Sequence, residues 1–440
     1  MSETSSLKTI RLGLAGLGTV GSAVARHLRD ESRLLAGRSG FRFEIVRIAV
    51  RDKARHLAAG VDPALLTTSW RELVETEGID LVVELMGGEE EARSCLLAAL
   101  EKGVSVVTAN KALLAAHGAE LFAAAERTAA SIFFEAAVAG GIPVIKAVKE
   151  SLVGNHISAI HGIINGTGNY ILTRMTEAGL GFSEALEEAR AKGYAEADPT
   201  LDVNGWDAAH KAIILASLAY GYWVAPADLR VEGIDRVARQ DIGYAARLGY
   251  VIKHVGVIKA GNGGGEVEVR VQPSLLPREH TLASVGGVTN ALAIRGDLIG
   301  ESLFVGPGAG GDATASSVIS DIVDAAHSLD KGPRNAGFVP HGLYGRTKPA
   351  ALTVSEFYLR IPVRDQPGVI ARIAGILAAK EIGISATVSL APSEMPDGKF
   401  NEVILMTHEA PLGLMEEAVE EVAREAFVTG PPVLLRVEKP

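Results

Sequence analysis

Residues 13–28, GLAGLGTVGSAVARHL, join a short apolar strand to an alanine- and valine-rich helix. Gly16, Gly18 and Gly21 fit the pattern G-x-G-x-x-G, with Thr19 and Val20 between the second and third glycines. The first glycine allows a tight turn, the second lets a pyrophosphate approach the backbone, and the third lets helix and strand pack closely. Because the strand comes first and the helix follows, the stretch predicts a dinucleotide site at the helix N-terminus.

The next predicted strand, 43–50, ends in Arg51, Asp52 and Lys53. An acidic residue at this strand end binds the ribose 2′-hydroxyl of NAD, whereas an arginine suits the 2′-phosphate of NADP. Arg51 favours NADP, and the neighbouring Asp52 leaves NAD open. The connecting segment, 30–40, is longer and more polar than the compact motif.

Strands and helices alternate beyond this point. Further apolar strands are predicted at 81–85, 104–107 and 131–134. The order predicts an α/β fold with a Rossmann-type, doubly wound parallel sheet over residues 1–140, completed by a helix at 312–329. Ligands bind beyond the carboxyl ends of such strands. Lys111, which opens a helix at one of these ends, is therefore a candidate site residue, with a merely solvated lysine as the alternative.

The stretch 192–218, KGYAEADPTLDVNGWDAAHKAIILASL, combines acidic residues with an apolar helix. Glu196 and Asp202 lie in its first half, and Asp207 and Lys211 stand four residues apart on one helical face. A buried charge is costly unless it is paired or used. The pattern predicts an acidic pocket with one lysine pointing into it, or, alternatively, an ordinary surface ion pair.

Three further segments follow the first domain. Residues 141–311 predict an α+β domain for substrate binding and dimerisation, and 330–352 predict a linker rich in glycine and proline. Residues 353–440 predict the order βαββαβ, the ferredoxin-like plan, with Asp365 placed to cap its first helix.

Composition excludes several classes of function. The chain has 440 residues, a net charge of −10 and a single cysteine, Cys95. The negative charge argues against nucleic acid and anionic membranes as partners. One cysteine permits no internal disulfide and no cysteine metal cage. No apolar run reaches membrane-spanning length, and the N-terminus lacks the apolar core of a signal peptide, so we expect a cytoplasmic protein.

Several motifs together resemble the homoserine dehydrogenase family over nearly the whole chain through about residue 330. They are GLGTVG, TANK, EAAVAGGIP, NGTGNY, KGYAEADPTLDVNGWDAAHK and GPGAGGDATASSV. The acidic stretch is the specific part of the likeness. The final unit, with RDQPGV after its first strand, is similar to an ACT domain, a small-molecule regulatory module.

The resemblance implies NAD(P)H-dependent interconversion of L-aspartate-4-semialdehyde and L-homoserine, on the route to threonine, methionine and isoleucine. It implies Lys211 as proton donor and Lys111 beside the nicotinamide and substrate. Glu196 and Asp207, with Asp202 in the same acidic stretch, would hold the substrate.

The resemblance also implies several binding partners. Gly193 and Gly310 match loops near the cofactor. A monovalent cation, usually sodium, would bind a set of backbone carbonyls, those of Glu135, Val138, Gly140 and Ile142. The composition of that loop also fits a simple crossing between domains. The likeness further implies a homodimer or homotetramer, and threonine as an effector at the ACT domain.

Two alternative functions share part of this sequence pattern. A phosphorylating semialdehyde dehydrogenase needs a thiolate nucleophile, and Cys95 lies in an apolar helix unsuited to that role. A non-catalytic, nucleotide-sensing ACT regulator needs a partner surface such as a basic DNA-reading segment, and this acidic chain has none in its sequence.

Overall fold

A computed structural model describes residues 7–261, 265–331, 338–388 and 401–439. Its first sheet has six parallel strands in the order β3-β2-β1-β4-β5-β6. The strands are β1 (Lys8–Ala15), β2 (Phe41–Ala49), β3 (Leu66–Thr67), β4 (Leu81–Glu84), β5 (Ser105–Thr108) and β6 (Ile132–Phe133). The helices are α1 (Thr19–Asp30), α2 (Ser32–Ser39), α3 (Lys53–Ala58), α4 (Trp70–Glu75), α5 (Glu90–Glu101) and α6 (Lys111–Thr128). This strand order is that of the Rossmann fold.

Apolar side chains cover both faces of this sheet. One face packs on α5 and α6 through residues such as Leu96 and Leu121, and the other packs on α1 through Val24. The second face is completed by a distant helix, which contributes Val318 and Ile322. Burial on both faces explains why these strands are short continuous apolar runs.

The segment 30–40, which is longer and more polar than the compact motif, contains helix α2. The helix ends at Gly40, which adopts a left-handed φ of 79° and donates its N–H to Ala36 O. Its polar composition concealed the helix, because only Ser39 of its residues is buried.

The middle of the chain folds around a second, mixed sheet. Its helices are α7 (Val144–Lys146), which continues as a π-helical turn, α8 (Gly166–Glu177), α9 (Phe182–Ala191), α10 (Thr200–Val203), α11 (Trp206–Tyr220) and α12 (Arg239–Arg247). Its strands are β7 (Ile157–Ile163), β8 (Arg230–Val231), β9 (Tyr250–Ala260), β10 (Gly265–Pro277), β11 (Thr289–Gly296) and β12 (Gly300–Pro307). The next helix in the chain, α13 (Gly311–Lys331), is the one that completes the first sheet. Helix α11 is buried along most of its length, because apolar residues occupy all its faces.

The last part of the chain contains the predicted order βαββαβ together with three additional short strands, β13, β14 and β18. The elements are β13 (Tyr344–Thr347), β14 (Val354–Ser355), β15 (Phe357–Pro362), α14 (Val369–Ala379), β16 (Ile384–Val388), β17 (Glu402–Thr407), β18 (Ala410–Pro411), α15 (Leu412–Ala423) and β19 (Val433–Val437). The strands from β15 onward that form this unit's sheet lie in the order β19-β15-β17-β16. Asp365 does not cap α14, whose N-cap is Gly368 with a φ of 91°.

The C-terminal unit, residues 353–439, is joined to the middle domain by backbone pairing. Strand β19 pairs in parallel with β10, with Ser274 opposite Arg436 and Leu275 opposite Val437. The second sheet therefore runs without a break as β12-β11-β7-β9-β10-β19-β15-β17-β16. The predicted linker also takes part, since β13 pairs with β10, while residues 332–337 of that linker lie outside the described residues.

The described part of the chain has no helix that is both long and apolar enough to cross a membrane.

Candidate active site

The glycine turn has the geometry that a dinucleotide requires. Gly16 has a φ of 102°, and a Cβ added there would lie 2.4 Å from Leu85 O. A Cβ on Gly21 would lie 2.2 Å from Gly16 O, so helix and strand approach too closely for any other residue. Gly18, the N-cap of α1, faces open space and leaves the helix without a side-chain cap. The first N–H groups of α1 are thus available to phosphate oxygens, and the turn fits a dinucleotide.

Arg51 and Asp52 follow strand β2 at its carboxyl end. Asp52 serves as the N-cap of α3, because its Oδ1 accepts a hydrogen bond from Arg55 N at 3.1 Å. Arg51 is exposed beside it. The Asp52 carboxylate therefore caps α3, whereas the Arg51 guanidinium is exposed to solvent.

Lys211 is the buried lysine of the site, with 8% of its surface exposed. Its Nζ donates to Asp207 Oδ2 and to the backbone carbonyl of Ile164, both at 2.6 Å. Burial lowers the pKa of Lys211, and the Asp207 carboxylate opposes that shift. An ammonium has three N–H donors, and the described residues supply these two acceptors, which leaves the third donor without a partner among them. The surface-pair alternative is wrong for this lysine.

Asp207 joins the two lysines. Its Oδ1 lies 3.3 Å from Lys111 Nζ, at the start of α6, while its Oδ2 accepts from Lys211. Burial favours the neutral acid, but the two ammonium groups outweigh it and lower the pKa of Asp207. The carboxylate therefore stays ionised between the end of strand β5 and helix α11.

Asn165 was missed in the sequence, although it lies within the NGTGNY motif. Its Nδ2 donates to Asp202 Oδ1 at 2.7 Å and to Asp207 Oδ2 at 2.8 Å, and its Oδ1 caps α8 by accepting from Gly168 N. Burial raises the pKa of Asp202, and the nearby charge of Asp207 adds to that rise. The amide thus bridges two carboxylates that would otherwise repel each other.

The remaining substrate and cofactor candidates lie in loops. Glu196 and Gly193 are exposed between α9 and α10, and among the described residues no hydrogen bond or ion pair joins Glu196 to Lys211. Gly310, with a φ of 110°, precedes α13. A Cβ on the next residue, Gly311, would lie 3.2 Å from Thr19 Cγ2, so this second glycine loop lies beside the dinucleotide turn.

The loop of the four candidate carbonyls packs tightly between the domains. Gly140 O accepts from Ser317 Oγ at 2.6 Å, and Ile142 O accepts from Val144 N at 2.8 Å. A Cβ on Gly140 would lie 2.6 Å from Gly308 O, which explains the glycine by close packing. Glu135 is buried, and its carboxylate accepts from the N–H groups of Ile145 and Lys146. A carbonyl oxygen has two lone pairs, so these oxygens also fit a hard cation.

Sequence analysis also missed a buried carboxylate at the carboxyl end of strand β4. Glu84, the last residue of β4, accepts from Thr108 Oγ1 at 2.6 Å and from Met86 N at 2.8 Å. Burial raises its pKa. The sequence feature that could have identified Glu84 is a single acidic residue within the otherwise apolar run LVVEL.

Two other chemistries are disfavoured. Cys95 is fully buried, and burial raises the pKa of its thiol to about 12, so it is no thiolate nucleophile. In the described residues no group of three or more His, Cys, Asp or Glu side chains could hold a metal ion.

A parallel sheet with this glycine turn, and an ammonium–carboxylate cluster beyond its carboxyl edge, defines an NAD(P)-dependent oxidoreductase. Comparison with known proteins makes the class specific. Residues 143–323 match the family model "Homoserine dehydrogenase", and 16–135 match "Homoserine dehydrogenase, NAD binding domain". The chain belongs to the homoserine dehydrogenase family.

Two of the similar proteins match nearly the whole chain, and a third matches about three quarters of it. A homoserine dehydrogenase of Pseudomonas aeruginosa is 42% identical over 98% of this chain and 100% of its own. The crystal structure of a homoserine dehydrogenase from Thiobacillus denitrificans superposes with a TM-score of 0.90, at 38% identity, over 98% of this chain and 99% of that one. A hyperthermophilic archaeal homoserine dehydrogenase in complex with NADPH has a TM-score of 0.63, at 31% identity, over 73% of this chain and 98% of its own.

Proposed function

We propose that this enzyme reduces L-aspartate-4-semialdehyde to L-homoserine reversibly, on the route to threonine, methionine and isoleucine. The observation that carries the proposal is the position of Asp207 between Lys111 and Lys211. It puts a buried ammonium beyond the carboxyl edge of the parallel sheet, where a nicotinamide and its substrate bind in such folds.

Lys211 is the proposed proton donor. When bound, the reduced nicotinamide supplies a hydride to the aldehyde carbon, and negative charge develops on the aldehyde oxygen. The Lys211 ammonium stabilises that charge and donates a proton to the oxygen. Burial brings the pKa of Lys211 towards neutrality, which eases the transfer, while Asp207 keeps the group charged beforehand.

The carboxylates are proposed to bind the substrate's α-ammonium. Asp202 is held in place by Asn165, and Glu196 lies on the loop that enters the same acidic stretch. Lys111 would lie between the nicotinamide and the substrate.

Arg51 supports a preference for NADP, because its guanidinium stands exposed where a 2′-phosphate would bind. Carbonyl oxygens of the loop 135–142 are the proposed ligands of a sodium ion, which would fix the crossing between the domains. The proposed proton transfer from Lys211 depends on neither the 2′-phosphate nor the sodium ion.

The remaining proposals concern organisation. We assign residues 1–140 with α13 to cofactor binding, 141–311 to substrate binding and dimerisation, and 353–440 to an ACT-type regulatory domain. The βαββαβ order of the last unit supports that assignment. Feedback inhibition by threonine, a dimer or tetramer and a cytoplasmic location are part of the same proposal.

The test is spectrophotometric. NADPH oxidation is followed with L-aspartate-4-semialdehyde as substrate, with NADH in a parallel series and with threonine added to each. We expect saturable oxidation, faster with NADPH at low cofactor concentration, and inhibition by threonine. No oxidation of either cofactor would refute the reaction, whereas oxidation unaffected by threonine would refute only the feedback.

A further inference from the structure

Glu84 is buried at the carboxyl end of strand β4 without a cationic partner. Its side chain is 0% exposed. Of the residues that the structure describes, no lysine, arginine or histidine forms an ion pair with it. A buried carboxylate that lacks a cation costs stability, which favours a role for Glu84 beyond packing.

The hydrogen bonds around Glu84 run in one direction. Its Oε2 accepts from Thr108 Oγ1 at 2.6 Å, and its Oε1 accepts from Met86 N at 2.8 Å. Thr108 Oγ1 in turn accepts from Asn110 N at 3.0 Å. A hydroxyl has one proton, so the N–H of Asn110 donates to the hydroxyl and the hydroxyl donates to the carboxylate.

These contacts join the two loops that follow strands β4 and β5. One loop is 85–88, and the other leads into α6. Asn110 completes the link, because its Nδ2 donates to Gly88 O at 2.6 Å while its Oδ1 caps α6 by accepting from Leu113 N at 3.2 Å. Two glycines of the turn 85–88 have positive φ angles, 70° and 75°, so the turn would have wide conformational freedom without these contacts.

Lys111 directly follows Asn110 and is the first residue of α6. Its side chain is 38% exposed, and its Nζ lies 3.3 Å from Asp207 Oδ1. A long side chain loses rotamer freedom when it forms such a pair, so the pair depends on how firmly the backbone is held. The helix cap and the Thr108 hydroxyl hold the backbone immediately before Lys111.

We propose that Glu84 is a positioning residue for Lys111. It acts through the side chains of Thr108 and Asn110, which hold the start of α6. The fixed helix start keeps the Lys111 ammonium against Asp207. The inference rests on the role proposed for Lys111 in the reaction.

Thr108→Val and Glu84→Gln break this network at two points with little change in volume. Valine lacks the hydroxyl, and glutamine cannot accept from both Thr108 and Met86, because one end of its amide is an N–H donor. Thr108→Ser keeps the hydroxyl and should retain the wild-type behaviour. Thr67→Val is the matched control. Thr67 also ends a strand of this sheet, donates to Glu72 Oε2 at 2.6 Å and accepts from the N–H two residues ahead at 3.1 Å.

A double-mutant cycle with Lys111→Met tests whether the network acts through that lysine. With L-aspartate-4-semialdehyde and NADPH, we expect Thr108→Val to lower kcat about tenfold, the effect of about one lost hydrogen bond. In Lys111→Met the same change should leave the residual kcat unaltered, and Thr67→Val should lower kcat in neither background. The proposal is overturned by an equal fall in both backgrounds, as a merely structural role would give, or by no fall in either.

The reactivity of the Lys111 amine tests the same point without the enzymatic reaction. Acetylation by acetic anhydride, followed by peptide mass spectrometry, gives the rate at Lys111 relative to Lys8, an exposed lysine that also forms a surface ion pair. We expect the relative rate to rise by up to about tenfold in Glu84→Gln and Thr108→Val, because a loosened ion pair exposes the nitrogen. It should stay unchanged in Thr67→Val.

An unchanged labelling rate in the folded network variants would overturn the proposal. Thermal melting of each variant establishes its fold, and Thr108→Val carries the test if Glu84→Gln does not fold. If the wild-type chain does not oxidise NADPH, the proposed function fails, while the labelling comparison still decides whether Glu84 positions Lys111.

Discussion

Lys111 Nζ and Asp207 Oδ1 lie 3.3 Å apart, and this ion pair joins the carboxyl end of strand β5 to the buried helix α11. Lys111 opens α6 in the cofactor domain, whereas Asp207 belongs to the middle domain. Because Asp207 also holds Lys211, the pair connects the dinucleotide sheet directly to the proposed proton donor.

Lys211→Met removes the proposed proton donor without leaving a charge behind. We expect kcat to fall by roughly 10²–10⁴, the usual contribution of general acid catalysis, with cofactor affinity little changed. Steady-state kinetics and cofactor fluorescence titration measure the two effects. Lys253→Met is the matched control, because Lys253, on strand β9, is also buried and bonded to a carbonyl, Val285 O at 2.6 Å. Near-normal turnover in Lys211→Met would exclude the role.

Asp207→Asn tests the electrostatic balance at Lys211. Burial lowers the pKa of Lys211 and the Asp207 carboxylate raises it, so the change lets the pKa fall further. In the proposed mechanism reduction requires the protonated amine, so its rate falls as pH rises through that pKa. The alkaline limb of kcat/KM for reduction should therefore move to lower pH, as a pH–rate profile would show. Glu177→Gln, which removes an exposed carboxylate from α8, should leave the limb in place. A shift to higher pH would contradict this account.

Asn165→Ala removes the bridge between Asp202 and Asp207. Two hydrogen bonds to carboxylates and one helix cap are lost, which should cost about 3 kcal/mol of unfolding free energy. Urea denaturation measures this loss. Ser69→Ala, which removes only the cap of α4, should cost about 1 kcal/mol. Equal losses in the two variants would show that the bridge contributes nothing to stability.

Arg51→Asp should change the cofactor preference. The new carboxylate would repel a 2′-phosphate and accept from a ribose hydroxyl, so KM should rise about tenfold or more for NADPH and fall for NADH. The ratio of kcat/KM for the two cofactors is the measurement. Arg38→Ala removes an exposed arginine from α2 and should leave the ratio unchanged. An unaltered ratio in Arg51→Asp would place the 2′ group elsewhere.

Glu438→Gln tests how firmly the C-terminal unit is held. Glu438 is buried and bonded to Arg270, Lys259 and His161, so the change should cost about 3–5 kcal/mol near pH 7. Burial alone would raise the pKa of Glu438, but its cationic neighbours hold it well below 4.5. The wild-type advantage is thus complete above about pH 4.5 and is lost as pH falls through the folded pKa.

Urea denaturation of this variant at neutral and at strongly acid pH checks both points. Glu356→Gln is the surface control, because Glu356 pairs with the exposed Lys439 and should contribute no more than about 1 kcal/mol. A difference between wild type and Glu438→Gln that grew on acidification would show that the sign is wrong.

Local sequence patterns predicted most of the first sheet, because its strands are continuous apolar runs and Gly16, Gly18 and Gly21 stand at fixed spacing. The burial of Lys211 followed from the apolar residues around it. Asn165 could not be found in this way, since its two carboxylate partners lie 37 and 42 positions further along the chain. An asparagine before a glycine indicates only a turn or a helix cap. Asn165 does cap α8 by accepting from Gly168 N, so the local pattern gave no reason to expect a second role.

The C-terminal unit also shows that local sequence patterns do not predict contacts between distant segments of the chain. Its order βαββαβ was predicted from alternating apolar and turn residues. The pairing of β19 with β10 has no local signal, because a parallel pair leaves no turn between the strands. Glu438, within LLRVEKP, reads as an exposed residue after a strand and is instead buried.

The contact between Arg270 and Glu438, which spans 168 positions, bears on how the chain matures on the ribosome. Strand β10 leaves the exit tunnel long before β19, so for the remainder of translation Arg270 has Glu268 but not Glu438 as a carboxylate partner. Nascent chains of this protein that stop short of β19 would leave the edge of β10 open at Ser274 and Leu275, and premature termination should therefore favour aggregation.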